Sequence, residues 1–503
     1  MAVETKTGDA ESGGESIVWI FAAAAPALTL LWAFILQKWS WGLMDDISLL
    51  NLPGNIFQRA WTIYRGFLAF GELKPIFALH AAVFYQIFAG FPTGFYVFKL
   101  LETVLTLAVW GLAARRLTGQ KISFYLVPAI ALSFHYVYDI VFYLSSHEIY
   151  GLFFLGLAVL SFLKSIGPAA APTEGGAAVV VWSWPAWCAG LVYLFLSFSA
   201  KETFAPLGAA VGVYYLFWAG MSRREKGVWR MAAAGVLVLA ATALYIWILL
   251  HIVRTGYTTS YHIFDFAKIS ANAWVWMKKD LLNHAPWLAG AWIVWRTFNR
   301  KNPTNRVLAN LPPGVRAGMV LGICFYLFFL GGLLPWNTAG YYAAPLGFFF
   351  AFILALAGAR PLAALPLRQQ CWVIFAALCL NQLVCFYALD REMTYHADSD
   401  QLMAWISNNP SFAGKNNLGV YCNGMEAAGA IPMLINRFAG REFLPFHYAA
   451  PAALAQAGKN CAYYLYSPRF GNLNPGFVQG WEAAFASRHW TMYQRPVDKK
   501  EAR

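Results

Sequence analysis

Apolar residues run through this chain in long blocks separated by short polar connections, a pattern that predicts helices crossing a bilayer. The first block, Ile17 to Leu36, has about the 20 residues a helix needs to span hydrocarbon. Lys38 and three tryptophans, Trp32, Trp39 and Trp41, mark its far edge. Further blocks lie at Phe95 to Ala114, Ile122 to Tyr143, Ile149 to Ile166, Pro185 to Ala200 and Phe204 to Gly220. Others follow at Val228 to Leu250, Trp287 to Phe298, Ala317 to Leu334, Tyr341 to Gly358 and Cys371 to Leu389, giving about eleven crossings. The stretch Ile76 to Phe91 is apolar but only about 16 residues long, a length that favours lying in the interface.

Charge orients these spans. With Ile76 to Phe91 left in the interface, the short basic loops fall on the side of the N-terminal tail: Arg115, Arg116 and Lys121; Arg223, Arg224 and Lys226; Arg296 to Arg306; Arg360 to Arg368. The positive-inside rule makes that side the cytoplasm and predicts a multi-pass protein of the cytoplasmic membrane. The odd count of crossings then puts Asp390 to Arg503 outside, with the long segments Gln37 to Gly94 and His251 to Pro286. Residues 1–16 read as a disordered cytoplasmic tail, without the basic region and cleavage site of a secretory signal. Residues 17–389 form the transmembrane domain, with its first outer loop at 37–94, and residues 390–503 an extracytoplasmic α/β domain. In that last part the pattern predicts a helix over Asp398 to Asn408, a strand over Leu418 to Cys422 and a helix over Met425 to Phe438. Strands over Cys461 to Ser467 and Arg488 to Gln494 complete it.

Composition agrees. The 503 residues are 59% hydrophobic, 17% aromatic and only 12% charged, which excludes an ordinary soluble enzyme. The net charge of +13 is largely that of the short cytoplasmic loops, so it gives no support to a nucleic-acid partner. Basic residues in the outer loops, Arg59, Arg65, Lys74, Arg254, Lys268, Lys278 and Lys279, suit an anionic headgroup or phosphate instead. Of the seven cysteines, five lie in spans as small apolar fillers. Cys422 and Cys461 fall at outer strands, in a compartment that permits a disulfide between them. No Walker, HExxH, GxSxG or dinucleotide motif stands in a suitable context, and no inverted repeat of the kind found in many transporters is evident.

Several blocks, in fixed order, carry a resemblance. WGLMDDISLLN from Trp41, ELKPIFALHAAVFYQIFAG from Glu72, FYVFKLLETVLTLAVWGLAARRLTG from Phe95, SSHEIYGLFFLGLAVLSF from Ser145 and LSFSAKETFAPL from Leu196 follow one another over roughly Ile17 to Leu216. This succession resembles membrane glycosyltransferases of the GT-C fold that use polyprenyl-phosphate sugars, particularly the bacterial protein-mannosyltransferase-like and aminoarabinose-transferase-like members. The resemblance implies a GT-C transmembrane domain of about 11 helices, the α/β domain over its active face, and sugar transfer at the outer leaflet to a lipid-linked glycan, a lipid A or cell-wall component, or a protein. Lys74-Pro75 stands where an Arg-Pro is usual in that superfamily, and Tyr341-Tyr342 where an Arg-Tyr is usual.

Sugar transfer from a lipid phosphate needs a base for the acceptor hydroxyl, a cation for the phosphate and a site that excludes water. Asp45 and Asp46, beyond the first span, are the candidate bases. One could orient the acceptor instead, the pair could hold a divalent cation, and two solvated acids at a turn is the plain alternative. No other cofactor is indicated. Lys74 is the candidate phosphate contact, against ordinary snorkelling, and His80 a contact to sugar or phosphate, against a satisfied core histidine. His147 and Glu148 could meet sugar or acceptor. Lys201 and Glu202 could bind the donor or form an ion pair joining two helices. Tyr341 and Tyr342 could line the lipid-sugar groove or anchor the interface, and the aromatic residues of His251 to His284 could stack on carbohydrate at the membrane surface or form an aromatic belt. Two other activities fit the same features less well: a lipid or glycolipid flippase, whose charges would spread through the depth of the spans, and an outer-face polymerase or ligase, which would use more arginine.

Overall fold

A computed structural model describes residues 52–69, 72–88, 92–142, 147–166, 182–222, 227–251, 265–278, 284–285, 287–292, 296, 311–334, 340–412, 419–422, 446–448, 461–467 and 478–495. The first span Ile17 to Leu36, the Asp45-Asp46 pair and the helix expected over Met425 to Phe438 lie outside these. The described residues divide into two compact units. One is drawn from Ala60–His80 and Tyr96–Ala388, the other from residues 52–59, Ala81–Phe95 and Leu389–Arg503.

Among the described residues two short helices come first, α1 (Ile56–Ala69) and α2 (Pro75–Phe88). At 14 residues, α2 is too short to cross a membrane, in keeping with an interfacial segment. The membrane helices follow: α3 (Pro92–Thr118), α4 (Ile122–Ala131), α5 (His135–Phe142), α6 (Glu148–Ser165), α7 (Trp184–Ala200), α8 (Leu207–Met221) and α9 (Val228–His251). After α10 (Phe266–Trp276) come α11 (Pro313–Leu333), α12 (Ala344–Ala363) and α13 (Leu367–Asn408). Among the described residues, seven helices are long and apolar enough to span, and α4 with α5 forms a bent eighth. The shorter apolar α7 matches a further expected crossing, and this is a multi-pass membrane protein.

Local chemistry sets the helix ends. Pro92 opens α3 where its missing N–H is no loss, and Arg115 and Arg116 close it near the negative end of its dipole. Gly119 then turns the chain at φ 68°, a conformation costly for other residues, and its N–H bonds Arg115 O at 2.9 Å. Ser183 caps α7, with Pro185 in the first turn.

In the membrane unit α6 packs on α7, α8 on α9 and α11, and α12 on α4 and α11. The approach of α6 to α7 is close enough that a Cβ at Gly190 would sit 2.5 Å from the Phe162 ring. Ser197 donates to Gly151 O at 2.8 Å across that seam, and the Trp110 indole donates to Leu152 O at 3.0 Å. Trp110 also meets the rings of Phe325, Phe349 and Phe352, all of them buried.

The pattern predicts one span over Ile122 to Tyr143, but it is broken, and α4 and α5 meet at 85°. Pro128 removes a helix N–H, and carbonyls exposed at the break find side-chain donors. Ser133 Oγ donates to Ile130 O at 2.6 Å and the Tyr138 hydroxyl to Leu132 O at 2.9 Å.

The second unit holds a five-stranded sheet of β1 (Gly419–Cys422), β2 (Phe446–Tyr448), β3 (Cys461–Tyr466), β4 (Glu482–Ala486) and β5 (Thr491–Gln494), in the order β2-β1-β3-β5-β4. The first three are parallel, and β5 runs antiparallel to β3 and β4. The helix expected at Asp398 is the last part of α13, which runs unbroken from Leu367. Strands β2 and β4 were not signalled by the pattern, being short and weakly alternating. The disulfide expected between Cys422 and Cys461 does not fit the register. Cys461 pairs with Gly419 and Cys422 with Leu465, so the two lie about 10 Å apart along the strands, beyond what a disulfide spans.

Candidate functional site

The site of interest lies in the membrane unit, where α3 and α6 begin and α7 ends. Three lysines from three separate stretches are buried there: Lys74 before α2, Lys99 in α3 and Lys201 just after α7, exposed by 3%, 0% and 4%. Ammonium groups are this deeply buried only when paired. Lys74 Nζ lies 2.7 Å from Glu72 Oε2 and 3.7 Å from Glu202 Oε2, with the Phe67 ring centroid at 4.9 Å. Lys201 Nζ lies 2.8 Å from Glu148 Oε1 and 4.6 Å from the centre of the Tyr342 ring. Lys99 Nζ stands 4.6 Å from the centre of the Tyr150 ring.

Two histidines complete the group. His80 Nε2 donates to Glu102 Oε1 at 2.8 Å, and its ring centroid is 3.9 Å from that of Tyr150. His147 stands at the N-cap position of α6 without a side-chain capping bond, its ring centroid 3.6 Å from that of Phe77 and 5.8 Å from that of Phe67. Both of its ring nitrogens are buried without a hydrogen-bond partner among the described residues.

Electrostatics follows from burial. Desolvation, reinforced by Lys74, Lys201, Lys99 and His80, holds the His147 imidazole well below the ordinary histidine range. Burial also lowers His80, against the opposing pull of Glu102. For Lys201 burial alone would depress the ammonium, but Glu148, Tyr342 and Glu202 outweigh it and the group is raised. The site therefore gathers three lysines and two imidazoles held below the ordinary histidine range, with Glu72, Glu102, Glu148 and Glu202 beside them.

Among the residues that the sequence singles out, the structure gathers Lys74, His80, His147, Glu148, Lys201, Glu202 and Tyr342. Asp45 and Asp46 lie outside the described residues, as does the side chain of Tyr341. Of the aromatic segment His251 to His284, α10 keeps no residue buried and exposes Phe266 and Trp274, with Lys278 Nζ 4.8 Å from the centre of the Trp274 ring. Sequence reasoning missed Glu72, Lys99, Glu102 and Tyr150. Lys99 and Glu102 did carry a signal, being charged residues one turn apart in an otherwise apolar stretch of α3. Among the described residues no group of three or more His, Cys, Asp or Glu could hold a metal ion.

No protein-family model and no curated protein matches the sequence. Solved structures do. The crystal structure of ArnT from Cupriavidus metallidurans bound to undecaprenyl phosphate is similar over 96% of this chain and 98% of its own, at 13% identity and a TM-score of 0.53. The chain has the GT-C fold. ArnT in the apo state is similar over 95% of this chain and 98% of its own, at 12% identity and a TM-score of 0.48. The GT-C fold expected from the order of the sequence blocks is thus the one observed, although so few residues are shared.

Proposed function

We propose that this chain is an integral-membrane glycosyltransferase that moves a sugar from a polyprenyl-phosphate donor to an acceptor at the outer face of the cytoplasmic membrane. The observation that carries the reading is the convergence of Lys74, Lys99 and Lys201, all buried, where α3 and α6 begin and α7 ends. Ammonium groups at a helix boundary are what a lipid phosphate leaving group engages, here in exchange for the carboxylates that hold them. The polyprenyl carrier is supported by the undecaprenyl phosphate bound to ArnT, which has this fold.

In the reaction, the oxygen of an acceptor hydroxyl bonds to the anomeric carbon of the sugar. The bond from that carbon to the phosphate oxygen breaks, and its electron pair leaves with polyprenyl phosphate. The hydroxyl proton passes to a carboxylate base, a role we assign to Asp45 or Asp46 from the sequence and the resemblance. A divalent cation held by that pair is a second reading of the same two residues, and removal of metal by EDTA separates the two. Lys74 is the first contact for the departing phosphate, with Lys201 and Glu202 beside it. His147 and Glu148 face the sugar or acceptor, and Tyr341 and Tyr342 border the donor. The basic loops support a cytoplasmic N-terminus and an outer C-terminal domain. The acceptor is a lipid-linked glycan, a lipid A or cell-wall component, or a protein.

The test is transfer by the purified chain in nanodiscs from radiolabelled polyprenyl-phosphate sugars to a membrane extract, with Asp45→Asn and Asp46→Asn alongside. Loss of transfer by about a hundredfold or more in one folded variant is expected of a missing general base. A wild type that binds these lipids without transferring sugar supports a flippase instead.

A further inference from the structure

We propose that His147 is a specificity-determining residue whose imidazole takes up a hydroxyl group of the transferred sugar. This rests on the reading of the site given above and names what part of the donor one of its residues recognises. His147 is buried, yet neither ring nitrogen has a hydrogen-bond partner among the described residues. Buried polar atoms in folded proteins are nearly always paired, so two orphans on one ring point to a group that arrives with the ligand.

The surroundings define that group. The charged and titratable side chains acting on His147 are Lys74, Lys99, Lys201 and His80. Burial and the neighbouring ammonium groups disfavour a positive charge on the imidazole, so the ring keeps one N–H donor and one lone-pair acceptor. Lysine can only donate, and the three ammonium groups already suit a phosphate. A bare phosphate dianion would use the donor of His147 and leave its acceptor unpaired. A hydroxyl both donates and accepts, and a pair of neighbouring hydroxyls would serve both nitrogens at once. Phe77 and Phe67 wall the ring on their side and keep bulk water from competing for it. The adjoining residue, Glu148, is fixed by Lys201 at 2.8 Å, which holds the first turn of α6 and with it the imidazole.

The structure thus divides labour within the site. The lysines answer the charge of the carrier phosphate, and His147 answers the polarity of what the carrier bears. A site built to hydrogen-bond a substrate hydroxyl discriminates strongly against an analogue that lacks it, because its own polar atoms are then left unpaired.

Binding measurements test this without depending on turnover. The full-length chain in nanodiscs is titrated with undecaprenyl phosphate and with undecaprenyl-phosphate hexoses or pentoses, for the wild type, His147→Phe and His147→Gln. The wild type should bind at least one sugar-bearing lipid more tightly than the bare phosphate. His147→Phe should lose roughly tenfold or more of affinity for that lipid while binding undecaprenyl phosphate as before. Glutamine, which also offers a donor and an acceptor, should recover part of the loss and guards against a phenylalanine variant that fails to fold. A monodeoxy donor lacking the recognised hydroxyl should bind the wild type and His147→Phe equally. Equal losses for bare and sugar-bearing lipids, or no loss at all, would overturn the assignment and leave His147 serving a bound water or packing alone. Discrimination without sugar transfer would retain the role of His147 and refute the transferase reading.

Discussion

Two polar clusters in this molecule are built from similar parts and end in opposite conditions. In the sheet-bearing unit, Asp398 Oδ2 accepts the backbone N–H of His489 at 2.9 Å and its ring Nδ1–H at 2.8 Å. Next to them, the Trp490 indole donates to Ser399 Oγ at 3.0 Å. Two consecutive residues of α13 thereby secure two consecutive residues of the turn between β4 and β5. In the membrane unit, histidines and carboxylates also come together, but among the described residues both nitrogens of His147 and Oε2 of Glu102 lack a hydrogen-bond partner. A polar group completed by its own chain holds a fold together. One left incomplete in a buried place costs stability and is kept for something that arrives.

The largest test of this contrast removes one member of a buried pair. Lys201→Met strands the Glu148 carboxylate, which is 1% exposed, and should destabilise the membrane unit by about 3–5 kcal/mol. Thermal unfolding in detergent reads this, and the double variant Lys201→Met, Glu148→Leu should regain part of the loss. A shift no larger than that of a surface lysine would mean the pair is solvated and the contrast unfounded.

A smaller effect is expected from Asp398→Asn. The amide keeps the shape but weakens two hydrogen bonds to a charged acceptor, for a loss of about 1–3 kcal/mol. Limited proteolysis should show earlier cleavage of the C-terminal region, with sugar transfer unchanged. If transfer fell while the fold stayed intact, the completed cluster would belong to function as well.

The smallest effect is a slope with pH. Burial first, then neighbouring lysines, lower the folded His147, and burial lowers His80. For a histidine lowered on folding, the associated stability is full above the unfolded value of about 6.5 and is lost as the pH falls toward the folded value. Unfolding temperatures should decline between about pH 7 and about pH 5, and less steeply in His147→Gln. Equal slopes would place the titrating group elsewhere.

Much of the fold was legible because spans are written in unbroken apolar runs. Nine of the eleven expected crossings fall on described helices, α4 and α5 together counting as one. The bend at Leu132 to Phe134 was not legible. Pro128 is tolerated in straight helices too, and what stabilises the break is the reach of Ser133 and Tyr138 to freed carbonyls. Within the site, Lys74, His147 and Lys201 could be singled out because they stand at helix ends. Lys99 and Glu102 were read as part of a span, since nothing local tells that their side chains meet residues far along the chain. The disulfide failed for a related reason: residue type and compartment permitted it, but only strand register fixes the distance between Cys422 and Cys461.

The unbroken helix α13 makes the chain sensitive to its own length. Each residue advances the helix by about 100° of rotation. Deleting or inserting one residue between Ser399 and Trp405 would therefore swing Trp405 about 100° around the axis relative to Asp398 and Ser399, so that the helix could not keep Trp405 against Phe485 and Asp398 on His489 at once. A single-codon insertion there should be more harmful than most substitutions of the residues it separates.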